Sequence, residues 1–578
     1  MTPETRSKKN SSPLRAALTR FKGAFTGVAV FSAVINILML TGPLFMLQVY
    51  DRVLASRSSA TLAVLFAIVV FLFAMMAFLD HYRGRTLARV GAGFQTALDR
   101  PVLEAVLQQA QYPALRERPA AGLRDLATIQ GVLSSPGMGA VFDLPWAPLF
   151  VGVLFLFHPW LGWFAVAGAV LILGLTMLNQ LRTKRLQAEA ARHVATADAQ
   201  VESMRRSIET VRGLGMNRAL RERWEAAREA ALHEAMSAAD RGGALSSGTK
   251  ATRLLLQSAI LGLGALLVLY GQLTPGAMIA GSILLGRALA PIEQVIGHWP
   301  QFQRAMAAWK DLGKLLEVQP DREVETELPH PNAVLSVRNL SVAPPGESTT
   351  VLRDVSFSAE PGDAIAVLGP SASGKSSLAR ALAGLWPATQ GEIRLGGAEL
   401  AQYDPDRLGR SLGYLPQDVA VFSGTVAQNI ARFDPEARSE DVIVAAKQAA
   451  AHELILGLAD GYDTQVSEGG GRLSGGQRQR IGLARAFFGD PVCLILDEPN
   501  ASLDDPGVQA LNLAISNARE AGKVVLVMSH RPSALAECNK VMILDGGTMR
   551  AFGPRDEVLN RFVKPVQAVA GMGRGGAS

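Results

Sequence analysis

Cysteine is nearly absent from this sequence. Cys493 and Cys538 are the two thiols of a 578-residue chain. Two late cysteines exclude a disulfide framework and place the part that carries them in a reducing compartment. A cleavable signal peptide is missing as well. The first apolar run follows Arg15, Arg20 and Lys22, but it is too long for a signal core. Charge is scarce, at 19% of residues against 49% hydrophobic, and the mean hydropathy is +0.19. That balance is too apolar for an ordinary soluble enzyme and too charged for a chain lying wholly in a membrane. It predicts a membrane part joined to a soluble part. The net charge of +6 and pI of about 9.4 read as basic loops that hold membrane helices in place, and no nucleic-acid partner is expected.

Where charge vanishes altogether, membrane spans are expected. No charged residue lies between Lys22 and Asp51 (GAFTGVAVFSAVINILMLTGPLFMLQVY) or between Arg57 and Asp80. A third apolar region runs from 136 to 181, broken at FHPWLGW, and a fourth from 254 to 286, broken at GQLTPG. With turns at the breaks, the chain contacts the lipid bilayer through six spans near 25–49, 61–79, 136–157, 161–180, 254–270 and 276–298. Buried soluble helices are the competing reading, which four nearly uncharged stretches of this length disfavour. Basic residues set the orientation. Arg6, Lys8, Lys9, Arg15, Arg20 and Lys22 precede the first span, and the segments 80–135 and 181–253 are rich in arginine. The outer turns carry only Arg52 and Arg57. By the positive-inside rule both termini are cytoplasmic. The inner segments are amphipathic, so the spans should continue as cytoplasmic helices that turn near 101–112 and 213–221. Two charges fall at membrane depth, Asp143 roughly 10 Å and Arg287 roughly 13 Å from the inner face. Either they pair in the protein interior, or Arg287 snorkels and Asp143 meets only backbone and water.

From about Asn332 the pattern changes to alternating and β-branched runs with Gly and Asp at turns, as in an α/β domain. DAIAVLGPSASGKSSLARALAGL reads as strand, glycine loop and helix, and Gly369, Gly374, Lys375 and Ser376 fill G-x-x-x-x-G-K-S/T. Backbone N–H groups and the helix N-terminus would cradle the phosphates of ATP. Lys375 would reach the β- and γ-phosphates, and the Ser376 hydroxyl would ligate Mg2+. In CLILDEPNASLDD a buried strand ends at Asp497, placed to orient the metal shell, and Glu498 follows as the group that orients or deprotonates water. His530 in VMSHRPS can bond the γ-phosphate or that water, and Gln417 in GYLPQD can reach metal or water. Taken singly, either would be an ordinary structural residue. One stretch resists a local explanation. SEGGGRLSGGQRQR, at 467–480, has five glycines and no apolar core.

Together GPSASGKSS, YLPQD, LSGGQRQR, LILDEP, SLDD and SHR resemble the ATP-binding cassette ATPases across 333–563, in that family's order. The resemblance implies that Ser474, Gly475, Gly476 and Gln477 cap the γ-phosphate held on the P-loop of a second cassette. The loop's phosphate lies on another copy. With one cassette per chain, the implied unit is a homodimer with two ATP sites shared between subunits, linked across the interface by 502–504. The resemblance also brings Ser371, Ser373 and Ser377 to the nucleotide and makes Ser376, Gln417 and Asp497 the Mg2+ set. One departure stands out. NLSVAPPGESTTVL offers Val342, Ala343 and Pro344 where such exporters stack adenine on an aromatic. Either base selectivity is loose or apolar contacts substitute.

Six spans before one cassette resemble the type I ABC exporter architecture. It is a membrane α-helical domain of six transmembrane helices with cytoplasmic extensions, fused to an α/β P-loop ABC ATPase domain. The expected divisions are an N-terminal segment 1–24, a transmembrane domain 25–318, a linker 319–332, the ATPase 333–563 and a tail 564–578. Glu468 sits where exporters contact the inner loops, and ATP-driven closure of the cassettes is expected to open the spans outward. LQVYDRVL, DLPWAPLF, AGSILLGRALAPIEQ, LSVAPPG and FSGTVAQNIARF look like PrtD-type type I secretion transporters. That resemblance implies ATP-driven export of an unfolded polypeptide across the bacterial inner membrane, with a periplasmic adaptor and an outer-membrane tunnel protein. The short N-terminal segment, without cysteine, carries no expected leader peptidase. Export of lipid, peptide or drug on the same scaffold, or a membrane-anchored regulatory ATPase, remain the alternatives.

Overall fold

The computed structural model describes residues 13–109, 121–317, 328–467, 473–530 and 536–562. The chain divides into two compact units, a helical one (1–106 with 120–319) and a second formed mainly by 320–578. Residues 1–12, most of the expected linker, the 564–578 tail and Glu468 lie outside the described residues.

Among the described residues of the first unit, six helices are long and apolar enough to cross a membrane: Lys22–Ser56, Ser59–Gln109, Pro136–Phe157, Pro159–Arg206, Asn217–Leu269 and Pro275–Gly297. They coincide with the six spans expected from the sequence. Span two has none of its most apolar window buried, and Val64, Phe66, Phe71 and Phe78 are each more than half exposed. In water such a face would collapse; against acyl chains it is already satisfied. Ser59–Gln109, Pro159–Arg206 and Asn217–Leu269 have 51, 48 and 53 residues. At 1.5 Å per residue each is roughly 75 Å long, against a hydrocarbon core of about 30 Å, so charged helix projects well beyond the membrane.

The turns differ in part from expectation. Helix Ser59–Gln109 runs through Pro101 without ending. A mid-helix proline costs one hydrogen bond, but Leu98, Val102 and Ala105 are buried beside it in a cluster with Leu126, Ile129 and Leu312, and that packing holds the helix together. Residues 110–112 of that expected turn lie outside the described residues. The other turn falls where expected: a helix ends at Gly213, Gly215 takes φ +68°, and the next helix starts at Asn217.

The pairing of Asp143 with Arg287 is overturned. Asp143 Oδ1 accepts from Arg83 Nη1 at 2.7 Å and from Asn36 Nδ2 at 2.8 Å. Arg83 also donates to Ser32 Oγ and, through Nη2, to Asp80. Arg287 instead sets Nη1 4.0 Å from the Met39 sulfur. Helix continuity explains the swap: Arg83 lies beyond the apolar run of span two, yet the unbroken helix delivers it to the buried carboxylate. The network ties spans one, two and three together. At the opposite end of span one, Asp51 caps the start of span six. Its two carboxylate oxygens accept from Gly276 N–H at 2.8 Å and Thr274 Oγ1 at 2.7 Å. A Cβ on Gly276 would come 2.7 Å from Asp51 Oδ1, so glycine is required for this approach.

Among the described residues the second unit has two large sheets and a two-stranded one. β1 (Leu335–Val342), β2 (Leu352–Ala359), β4 (Gln390–Leu395) and β5 (Ala398–Glu399) form an antiparallel sheet in the order β2-β1-β4-β5. β3 (Ala364–Leu368), β6 (Leu412–Leu415), β9 (Cys493–Asp497), β10 (Val524–Met528), β11 (Lys540–Asp545) and β12 (Thr548–Pro554) form the other, in the order β12-β11-β3-β10-β9-β6. β7 (Gly424–Thr425) pairs with β8 (Gln465–Val466). Every residue of β9 and β10 is buried, as continuous apolar runs in a parallel sheet require. Burial pushes the thiols of Cys493 and Cys538 up to about 12. The native protein should therefore resist maleimide near neutral pH, whereas both thiols should label after denaturation, as read by intact mass. Modification of either thiol in the folded protein would contradict that burial.

Candidate active site

The parallel register brings one set of loops to one edge. Met528 at the end of β10 pairs with Val367 of β3 and Asp497 of β9, and Leu415 of β6 pairs with Leu496. The segments that leave these strands carry Gly369, Gln417, Glu498 and His530. Carboxyl ends of parallel strands are the usual ligand edge of such sheets.

After β3 the chain turns through Ala372 at φ +63° and Gly374 at φ +102° into the helix Lys375–Leu382. A Cβ on Gly369 would lie 2.2 Å from the Leu544 carbonyl and 2.5 Å from Ser373 Oγ, so only glycine closes this loop. Lys375 is buried and donates Nζ to the Gly369 and Pro370 carbonyls at 2.7 and 2.9 Å. Ser373 Oγ is buried with no hydrogen-bond partner, an open polar atom inside the loop. Left-handed turns, a helix N-terminus free of acidic residues and a cation on the loop make a receptor for phosphate. Ser371 is exposed at the loop tip, and Ser377 is half-buried in the first turn of the helix.

Ser376 Oγ donates to Asp497 Oδ1 at 3.2 Å. Burial, and after it the neighbouring Glu498 carboxylate, push the Asp497 carboxyl up, against the pull of the Ser376 hydroxyl and the charges of Arg380 and Lys375. A hydroxyl and a carboxylate on adjoining elements suit Mg2+, which takes one or two protein oxygens and completes its shell with phosphate and water. Gln417, the third expected ligand, instead donates Nε2 to Glu498 Oε2 at 3.4 Å. His530 Nδ1 lies 3.3 Å from Glu498 Oε1. Glu498 itself sits at φ +50°, a strained conformation for a non-glycine residue, held by its N–H to the Met528 carbonyl at 2.9 Å.

Ser474 and Gln477 close a reciprocal capping box at the start of helix Gly475–Phe487. Ser474 Oγ accepts from the Gln477 N–H, and Gln477 Oε1 accepts from the Ser474 N–H. Gly475 and Gly476 lie against Ser502, where a Cβ on Gly476 would be 3.1 Å from the carbonyl. Asp504 Oδ1 accepts from Arg480 at 3.2 Å. The loop is therefore ordered by its own helix and by 502–504. Val342 and Ala343 are buried in the core, so of the three residues offered in place of an aromatic only Pro344 is even partly accessible.

Three groups escaped the sequence reading. Gln479, buried, donates to the Pro499 carbonyl. Arg485 donates to the Ala420 and Asn429 carbonyls and to Asn429 Oδ1, all within 2.8 Å, and so fixes the segment that follows Gln417. Arg432 donates to the Gly409, Arg485 and Ala486 carbonyls. Burial and then the nearby Arg485 charge pull Arg432 down to about 10. FSGTVAQNIARF is thus an anchoring element, in which Thr425 caps the helix Val426–Ile430 and Asn429 bonds Phe422. Arg432 within it and Arg485 on the helix Gly475–Phe487 are indistinguishable in sequence from solvated arginines.

Comparison with known proteins agrees with this geometry. The ABC transporter family matches residues 352–501, and the ABC transporter transmembrane region matches 25–289. The chain is 42% identical to the type I secretion system ATP-binding protein PrsD of Rhizobium meliloti (strain 1021), covering 97% of this chain and 96% of that one. It is 27% identical to the toxin RTX-I translocation ATP-binding protein of Actinobacillus pleuropneumoniae, over 94% and 77% of the two chains. Its fold is similar to that of a bacterial Atm1-family ABC exporter with ATP bound, with a TM-score of 0.79 at 21% identity, over 97% of this chain and all of that one. The six-span fold, the P-loop edge and these relatives together show that this chain belongs to the ABC transporter family, in its type I secretion branch, as an ATPase coupled to transport.

Proposed function

We propose that two copies of this chain form an exporter that moves an unfolded polypeptide outward across the bacterial inner membrane. Both termini and the ATPase domains lie in the cytoplasm, and a periplasmic adaptor and an outer-membrane tunnel protein receive the cargo. The membrane domain is 25–318 and the ATPase 333–563. The observation that carries the dimer is the signature loop. Ser474–Gln477 form a finished anion-ready helix start, yet among the described residues their partners lie in their own helix and at Ser502, not on the P-loop of the same chain. A second copy supplies the phosphate they face.

In this reading Lys375 leaves the Gly369 and Pro370 carbonyls for the β- and γ-phosphates, and the N–H groups of 371–377 wrap them. Ser376 and Asp497 would hold Mg2+, with Gln417 as the further candidate ligand, and the ion would supply positive charge against the phosphate oxygens. Glu498 orients the attacking water and takes its proton, while His530 steadies the carboxylate and reaches the γ-phosphate. Ser474 and the Gly475 and Gly476 N–H groups close over the partner's nucleotide.

A cavity of mixed lining, with amide, hydroxyl and charged groups set in a wall of alanine and glycine, has room for polar groups of a cargo. Within the helical unit, about 750 Å³ is lined by Asn179, Gln180, Thr183, Lys250, Arg253 and Glu293 among others. The buried Asn179 Oδ1 there has no hydrogen-bond partner. Amides and hydroxyls suit a peptide backbone better than an acyl chain. The words secretion and toxin translocation in the relatives' names point the same way.

Mixed dimers test the shared sites. Lys375→Ala and Ser474→Phe chains should each be inactive alone. Co-assembled, they place both lesions on one site and leave the other intact, so ATP hydrolysis in proteoliposomes should partly return. If each site were built within one chain, the mixture would stay dead, and the dimer reading would fall.

A further inference from the structure

The signature helix is bolted to the loop that carries the water-orienting carboxylate of the same chain. Gln479 lies one turn inside helix Gly475–Phe487 and is only 5% exposed. Its Nε2 donates to the Pro499 carbonyl at 3.2 Å and lies 3.5 Å from the Glu498 carbonyl. Two further contacts join the same elements: Gly475 and Gly476 on Ser502, and Arg480 on Asp504. Glu498 needs such a brace, because its φ of +50° is unfavourable for a side chain with a Cβ. Its own N–H is held by Met528, and its carbonyl accepts from Ala501 N–H at 3.1 Å. Gln479 is the side chain that ties this strained turn to the helix whose first residues face the other nucleotide.

We infer that Gln479 is a positioning residue that couples the two ATP sites: the seating of Ser474–Gln477 on one nucleotide is passed through its amide to the Pro499 carbonyl and so to Glu498 at the other. The inference rests on the shared-site reading. A helix is stiff along its axis, so a shift of its first turn displaces Gln479 with it. The buried hydrogen bond then moves the Glu498 turn, because the amide has no water to exchange for Pro499.

Gln479→Met keeps the length and loses the donor, and Gln479→Asn keeps the amide but falls short of Pro499. The full-length protein in nanodiscs is assayed for ATP hydrolysis against ATP concentration. Both variants should lower kcat about tenfold, the equivalent of one buried hydrogen bond, with KM for ATP little changed. The Hill coefficient for ATP should fall toward one, a change that mere loss of stability does not produce. Gln479→Met in a Glu498→Gln background should cost nothing further. Wild-type kcat in both variants, or a lowered kcat with cooperativity intact, overturns the inference while a dead Glu498→Gln protein leaves the site reading standing. Should Glu498→Gln itself turn over normally, the site reading fails first.

Discussion

Glu498→Gln should remove steady-state ATP hydrolysis while leaving ATP bound. The substitution is isosteric, so the contacts from Gln417 and His530, at 3.4 and 3.3 Å, can be kept in shape. What is lost is the negative charge that orients water and accepts its proton. General-base groups contribute about 10²–10⁴-fold, and a loss in that range is expected. Lys375, Ser376 and Asp497 are untouched, so nucleotide affinity measured by equilibrium binding should stay near wild type. Because hydrolysis no longer parts the two ATPase domains, they should stay closed on the nucleotide, visible as slow release of bound ATP. Turnover within a few-fold of wild type would remove Glu498 from this role and move attention to His530.

Asp143→Ala should be the most damaging change in the membrane part. Asp143 and Arg83 form a buried pair whose side chains are 10% and 12% exposed. Removing one partner of such a pair costs about 3–5 kcal/mol, because the remaining charge is left in a low dielectric. The low end, about 3 kcal/mol, is expected here, since Asp80 still holds Arg83 Nη2 at 2.7 Å. Asn36 Nδ2 would retain only the Ser32 carbonyl. The reading is a lower melting temperature of the purified protein in detergent. Arg83→Met combined with Asp143→Leu should recover most of it, since an apolar pair of similar volume carries no desolvation cost. An Asp143→Ala protein that melts with wild type would mean that water or lipid headgroups already solvate Arg83. Substitution of Arg287, whose contact among the described residues is a long one to Met39, should cost far less.

Much of this protein is legible in one dimension. Four nearly uncharged regions, two of them broken by a short turn, dictate six helices, because a backbone in hydrocarbon has no other way to satisfy its own N–H and C=O groups. The P-loop and the LILDEP strand could be placed from spacing alone, since a glycine turn between a buried strand and a helix leaves little choice of conformation. What depended on tertiary structure is which distant groups meet. The partner of Asp143 was misread because Arg83 lies outside the apolar run and only an unbroken helix carries it inward. The sequence places a turn only within 101–112, and the packing of Leu98, Val102 and Ala105 carries the helix past Pro101 to Gln109. Val342 and Ala343 could not be known to be buried, nor Gln479 to reach Pro499, until the sheet and the signature helix were laid side by side. Periodicity and spacing are properties of neighbours along the chain, whereas hydrogen-bond partners on separate elements, such as Arg83 and Asp143, 60 residues apart, are selected by how whole elements pack.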